Sequence, residues 1–250
     1  MLYIDIHTHE RRGNVLSPGS DMFLPGGNVL SPGGGRKPLK ILTCEELKAF
    51  SAVGFVASQT EDMCLSVVNC NERLEGPVGR CASLGIHPWW VDADWRVLFE
   101  RMRQRVRADD VLFVGECGLD KVRGGDWSAQ LACFEAQVAL AEQVGKPLLI
   151  HCVKAYDEVL GVCRTTRVRR IIHGFRGKPQ LAQELLNRGF DLSFGFRFNS
   201  DSLRLAYEHR RMWLETDDVS DGDIRDVYAL ACKSLSMSPM DLEFPGMCFS

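Results

Sequence analysis

Two histidines two residues apart, His7 and His9, stand in the β-rich run Ile4-Asp5-Ile6-His7-Thr8-His9. Strand side chains alternate between faces, so both imidazoles point the same way and can hold one metal ion between them. Glu116, His151, His173 and Asp217 likewise fall at the ends of apolar runs. Four imidazoles and two carboxylates suffice for two divalent ions that share a bridging carboxylate. Imidazole suits borderline metals such as Zn, and carboxylate also suits Mg and Mn. Such ions lower the pKa of a bound water and stabilise the attacking and leaving oxygens of a phosphoryl displacement.

These residues converge only if the apolar runs before them share one sheet. Runs at 2–9, 64–69, 81–87, 111–115, 147–152, 170–173, 190–195 and 212–217 read as eight strands. Between them the periodicity predicts helices. One covers 43–50, where Thr43 and Glu46 form a capping box. A second runs from an Asp94 cap, with Trp95, Leu98, Phe99, Met102 and Val106 on one face and Arg101, Arg103, Arg105 and Arg107 mostly elsewhere. Others cover 127–144, ended by Gly145, and about 155–163. Pro179 opens the next and Gly189 closes it, and the last spans 223–234. Strands alternating with helices and no internal linker predict a single α/β domain over residues 1–250, a (β/α)8 TIM barrel. Its metal site would lie at the C-terminal face of the strands, where residues far apart in sequence meet.

Residues 11–38 interrupt this order. They are rich in Gly and Pro and repeat Asn14-Val15-Leu16-Ser17-Pro18-Gly19 as Asn28-Val29-Leu30-Ser31-Pro32-Gly33. This stretch reads as a duplicated surface loop; the alternative is a lid over the site, since it leaves the first strand at its histidine end. The net charge of −3 provides no global field toward nucleic acid, so a polyanionic substrate would depend on a local basic rim or on metal charge. The ten cysteines form no C-x-x-C pair and read as free thiols. No signal peptide or spanning segment is legible. The expectation is a cytoplasmic protein with no membrane and no obligate protein partner.

The ordered blocks Asp5-Ile6-His7-Thr8-His9, Gly85-Ile86-His87-Pro88, Gly115-Glu116-Cys117-Gly118-Leu119-Asp120, Ile150-His151-Cys152, His173-Gly174-Phe175-Arg176-Gly177 and Leu214-Glu215-Thr216-Asp217 resemble the signature of the TatD family of metal-dependent hydrolases, in the amidohydrolase superfamily. The resemblance implies two divalent ions. His7, His9, Glu116 and Asp217 would hold one, and Glu116, His151 and His173 the other, with Glu116 bridging. It implies a Mg-dependent deoxyribonuclease working 3′ to 5′ on DNA ends. Asp217 would orient or deprotonate the attacking water. Two alternatives keep the site: hydrolysis of an ester or amide, such as a D-aminoacyl-tRNA or a small metabolite, and a catalytically silent metal-binding barrel.

Around this set, His87 is a candidate hydrogen-bond donor or proton carrier. Lys154, Arg176 and Lys178 could grip phosphate oxygens. Asp120 could orient a ligand or cap a turn, and Trp89 and Trp90 could stack a base. Some positions depart from the family pattern: Val153 stands where many members have Arg, Arg176 replaces a serine, and Asp218 a proline.

Overall fold

The computed structural model describes residues 2–9, 40–46, 63–76, 80–219 and 222–242. The duplicated Gly/Pro motif lies outside the described residues, as does most of the helix expected at 43–50. The start of that helix is present. Glu46 N–H donates to Thr43 Oγ1 (3.2 Å) and Thr43 N–H donates to Glu46 Oε2 (2.9 Å), which is the expected capping box.

Among the described residues nine strands follow in order: β1 (Leu2–His9), β2 (Lys40–Ile41), β3 (Met63–Asn69), β4 (Ala82–Leu84), β5 (Val111–Asp120), β6 (Leu148–Val153), β7 (Arg170–Ile172), β8 (Asp191–Phe194) and β9 (Met212–Leu214). All pairings are parallel, in the order β1-β3-β4-β5-β6-β7-β8-β9. A Thr8–Asp217 bridge closes the ring, with Asp217 N–H donating to the His7 carbonyl (2.9 Å). This is the expected eight-stranded (β/α)8 barrel. The two-residue β2, which pairs with β3, is an addition that its length hides from periodicity.

Helices α1 (Trp95–Arg105), α2 (Trp127–Val144), α3 (Tyr156–Val162), α4 (Pro179–Asn187), α5 (Ser200–Glu208) and α6 (Ile224–Leu235) connect the later strands. Asp126 accepts the Ala129 N–H at 2.7 Å to start α2, and Gly145 ends it in the left-handed conformation. Asp94 precedes α1 as expected but makes no side-chain cap bond. Helix α5 was not expected. It begins at Asn199, whose Oδ1 accepts from Asp201 and Ser202 N–H, and it buries Leu203 and Ala206.

The core has two parts. Inside the barrel, Ile6, Leu65, Val67, Phe113, Leu149, Ile171 and Trp213 form one cluster. The other lies between the outer faces of the strands and the helices. At Gly118 (φ +135°) a Cβ would collide with the carbonyl oxygen of His151, so β5 and β6 approach closely only because this position is glycine.

Candidate metal centre

Two β-bulges aim the site. Between Asp5 and Thr8, β1 has one residue more than β3, and between Val114 and Cys117, β5 has one more than β6. Without the first, the alternation that puts Ile4 and Ile6 against the barrel interior would turn His7 outward. With it, Ile6 stays in the interior cluster and His7, its chain neighbour, also faces the barrel axis. The second bulge does the same for Glu116, between the outward-packed Val114 and Cys117. Glu116 therefore lies within β5, which runs on to Asp120, rather than after a strand ending at residue 115.

Glu116 is the centre of the cluster. Its Oε1 lies 2.7 Å from His173 Nε2, 2.9 Å from His151 Nδ1 and 3.0 Å from His87 Nε2. Its Oε2 faces the other way, 3.3 Å from His7 Nε2 and 3.9 Å from His9 Nε2. Asp217 Oδ1 lies 3.4 Å from His7 Nε2 and 3.6 Å from His9 Nε2. The six residues singled out in the sequence thus meet at one place. Glu116 is 3% exposed and His7 is fully buried, whereas His9 opens toward solvent.

The electrostatics favour cations here. Burial and the neighbouring His173 push the His7 imidazole down, but the carboxylates of Asp217 and Glu116 outweigh them and raise its pKa to about 10. Burial would raise Glu116, yet the charge of His173 and the close approach of the His151, His173 and His7 imidazoles hold it well below the usual carboxylate range. His173 is raised well above the ordinary histidine value, against the effect of its burial, by Glu116 and Glu215. Without metal, protons supply the positive charge that the buried acids require.

Donor geometry tests whether metal fits. Neither nitrogen of the buried His7 makes a directed hydrogen bond, although Nε2 lies within 3.4 Å of two carboxylates. Buried polar atoms without partners are rare, and this one is aimed at a point where acids and imidazoles meet. The remaining histidines are held from behind. His151 Nε2 lies 3.1 Å from Asp120 Oδ2, and His173 Nδ1 faces Glu215 Oε1 at 3.5 Å. Each outer carboxylate can keep a ring proton on the outer nitrogen, so that metal would displace only the proton on the inner one, as metal-ligating histidines require. His87 is the opposite case. Its Nδ1 accepts the Trp89 N–H at 3.1 Å, so the neutral ring carries its proton on Nε2 and donates toward Glu116. His87 belongs to the cluster as a donor.

Three supporting residues had no assigned role in the sequence reading. Asn69 Nδ2 donates to Glu116 Oε2 (3.3 Å), and its Oδ1 accepts from Glu116 N–H (3.1 Å) and Ser83 Oγ (3.1 Å). Glu215 accepts from Gly174 N–H (2.6 Å) and Ser193 Oγ (2.5 Å). Asp5 accepts from Thr216 N–H and Oγ1, and burial raises its pKa to about 7. A signal existed for two of them. Asn69 ends an apolar run, as the ligand-type residues do, and Glu215 is two residues from Asp217.

Asp120 both orients and caps: Oδ2 meets His151, and Oδ1 accepts from Val122 and Arg123 N–H. Lys154, Arg176 and Lys178 are exposed beyond β6 and β7, with no hydrogen bond or ion pair to the cluster among the described residues. Arg105, one of the arginines off the apolar face of α1, bonds Leu74 O and Asp110.

Residues 44–226 match the family described as TatD related DNase. The chain belongs to this family. Over 115 residues it is 32% identical to a 3′-5′ ssDNA/RNA exonuclease TatD of Enterobacter lignolyticus, covering 44% of each chain. Over 112 residues it is 36% identical to the protein of that name from Edwardsiella piscicida, covering 43% of each. The chain thus spans less than half the length of these relatives. An uncharacterized metal-dependent hydrolase of Buchnera aphidicola is 22% identical over 187 residues, 71% of this chain and 69% of the relative. Among solved structures, the TatD homologue YJJV of Escherichia coli K12 superposes with a TM-score of 0.55 at 22% identity, over 68% of this chain and 78% of the other. A TatD family hydrolase of Entamoeba histolytica gives 0.52 at 15%, over 80% and 75%. Both show the same TatD barrel. Among the described residues, no helix is long and apolar enough to cross a membrane.

Proposed function

We propose that this protein is a divalent-metal-dependent hydrolase that removes nucleotides from the 3′ end of single-stranded DNA. The observation that carries the reading is the splitting of Glu116. One carboxylate oxygen faces His7 and His9, and the other faces His151 and His173. A carboxylate with each oxygen turned to a separate histidine set is the arrangement of a bridge between two ions. His7, His9, Glu116 and Asp217 would hold one ion, and Glu116, His151 and His173 the other, each His through its inner nitrogen. The TatD relatives named as 3′-5′ ssDNA/RNA exonucleases support the substrate class.

Bound there, Mg, Mn or Zn would supply a nucleophilic water near neutral pH and stabilise charge on the attacking and leaving oxygens of the phosphodiester. The chain's own residues do the rest. Asp217 is partly exposed and held ionised: burial opposes this, but the facing His7 prevails. It orients the attacking water and takes its proton. His87 is kept neutral by burial, and its one N–H, directed at Glu116 Oε1, would turn to a non-bridging phosphate oxygen once metal engages that carboxylate. Asp120 and Glu215 fix the His151 and His173 rings, so the site is set before substrate arrives.

The test is digestion of 5′-end-labelled single-stranded DNA with added Mg, Mn or Zn, beside an Asp217→Asn variant. Stepwise shortening from the 3′ end, lost in the variant, is expected. A protein that binds metal yet cleaves no DNA with any of the three would overturn the nuclease reading.

A further inference from the structure

We propose that Trp89 and Arg123 form a subsite for the terminal nucleotide, in which the base stacks on the indole and the guanidinium binds a phosphate. This rests on the nuclease reading and specifies the substrate contact it lacks, because Lys154, Arg176 and Lys178 do not reach the cluster. Trp89 follows β4 in the short turn Pro88–Trp90, one residue beyond the His87-Pro88 step. Its ring lies beside both His87 (centroids 4.6 Å) and His151 (5.7 Å), yet the residue is 40% exposed. Arg123 covers part of one face of this ring, and the surface that stays open beside the buried polar residues is a place for a base to stack.

Trp89 is also held in place. Its Nε1–H donates to Asp120 Oδ2 at 2.7 Å, the same oxygen that meets His151 Nε2. One carboxylate oxygen therefore fixes the angle of the indole relative to a residue of the metal cluster. A fixed ring loses little freedom when a base stacks on it. A base stands one sugar away from its own phosphate, and Trp89 stands one ring away from His151.

Arg123 arrives from the turn that Asp120 caps. Its Cζ sits 3.7 Å from the centroid of the Trp89 ring. The side chain is exposed, and among the described residues its guanidinium makes no hydrogen bond or ion pair. Stacked on the indole, the fork keeps its N–H groups in plane and free for phosphate oxygens. The same turn borders a cavity of about 440 Å³ lined by Lys121, Arg123 and Trp127, which gives the strand room to continue.

The experiment compares two single-stranded oligonucleotides that differ only at the 3′ end, one with a normal nucleotide and one with an abasic tetrahydrofuran. The wild type should prefer the base-bearing end by roughly 10-fold or more in kcat/KM. Trp89→Leu should erase that preference and Trp89→Phe should retain most of it. Both lose the bond to Asp120, so the contrast isolates stacking. Arg123→Ala should raise KM for both ends. A binding measurement stands beside turnover: thymidine monophosphate should quench the indole fluorescence, deoxyribose 5-phosphate should not, and Trp89→Leu should abolish the quench. Equal preference in wild type and Trp89→Leu, or no Trp89-dependent quench, overturns the subsite. A Trp89-dependent quench from a protein that cleaves neither oligonucleotide upholds the subsite and overturns the nuclease reading.

Discussion

Asn69 grips Glu116 twice, through the backbone N–H at 3.1 Å and through carboxylate Oε2 at 3.3 Å. This side chain from β3 fixes both the bulged backbone of β5 and the rotation of the carboxylate at the centre of the cluster. Rotating that carboxylate would take one oxygen from the His7 side and the other from the His173 side together.

Asn69→Ala is therefore expected to weaken metal binding without unfolding the barrel. Loss of such an orienting contact typically costs 10- to 100-fold in metal affinity or activity, and roughly that loss is expected here. Competition with a chromophoric chelator measures it, with a thermal melt in parallel. An unchanged affinity would show that the bulge alone positions Glu116.

Asp120→Asn separates two roles of one side chain. Asn keeps an acceptor for the Val122 and Arg123 N–H groups, but the amide NH2 then facing Trp89 and His151 donates and can accept from neither. Metal affinity should fall by roughly 10-fold or more, with Tm changed by only a few degrees.

The metal-free protein should lose stability as pH rises above neutrality. The His7 pKa is raised on folding to about 10, so its contribution is full below about 6.5 and is lost as pH climbs through about 10. Asp217 and Glu116 are shifted the other way, so theirs is lost on acidification. Thermal melts with chelator should show Tm falling from pH 7 to pH 10. Saturating divalent metal should flatten that fall, because metal replaces the proton. A metal-free Tm that stays level to pH 10 would contradict the protonated pair.

Gly118→Ala should destabilise the barrel by about 1–3 kcal/mol or more. The added Cβ meets the His151 carbonyl at a φ that L residues rarely adopt. Displacing that carbonyl also moves a residue of the cluster, so Tm and metal affinity should fall together. Denaturant melts and chelator competition read the two effects.

The thiols of Cys133, Cys152 and Cys163 should resist alkylation in the native state. Burial pushes each up to about 12, leaving almost no thiolate at pH 8. Peptide mapping after brief iodoacetamide treatment should find them unmodified in native protein and fully modified in urea.

The barrel was legible because its strands are buried on both faces and read as apolar runs, and because ligand-type residues end those runs. Helix α5 escaped because Ser200–Glu208 is mostly polar and hides only a few apolar residues. The spacing of His7 and His9 showed that they share a face, but not which face. A bulge decides that, and it is set by the pairing of β1 with β3, which one strand's own pattern does not contain. Asp120 meets His151 through Oδ2 and caps its turn through Oδ1, so both of the contacts its two readings call for are present in one side chain. Lys154, Arg176 and Lys178, expected to hold phosphate, follow β6 and β7 and are exposed.

The cluster straddles the seam where the ring closes. His7 and His9 come from the first strand and Asp217 follows the last, with Thr8 and Asp217 bridged across the join. During synthesis the ribosome releases β1 well before β9, so a nascent chain carries His7 and His9 long before it carries Asp217. Tight capture of an ion must wait for the ring to close. On the proposed ligand set, loading would serve as a checkpoint on completed folding, and a chain truncated before β9 would lack Asp217.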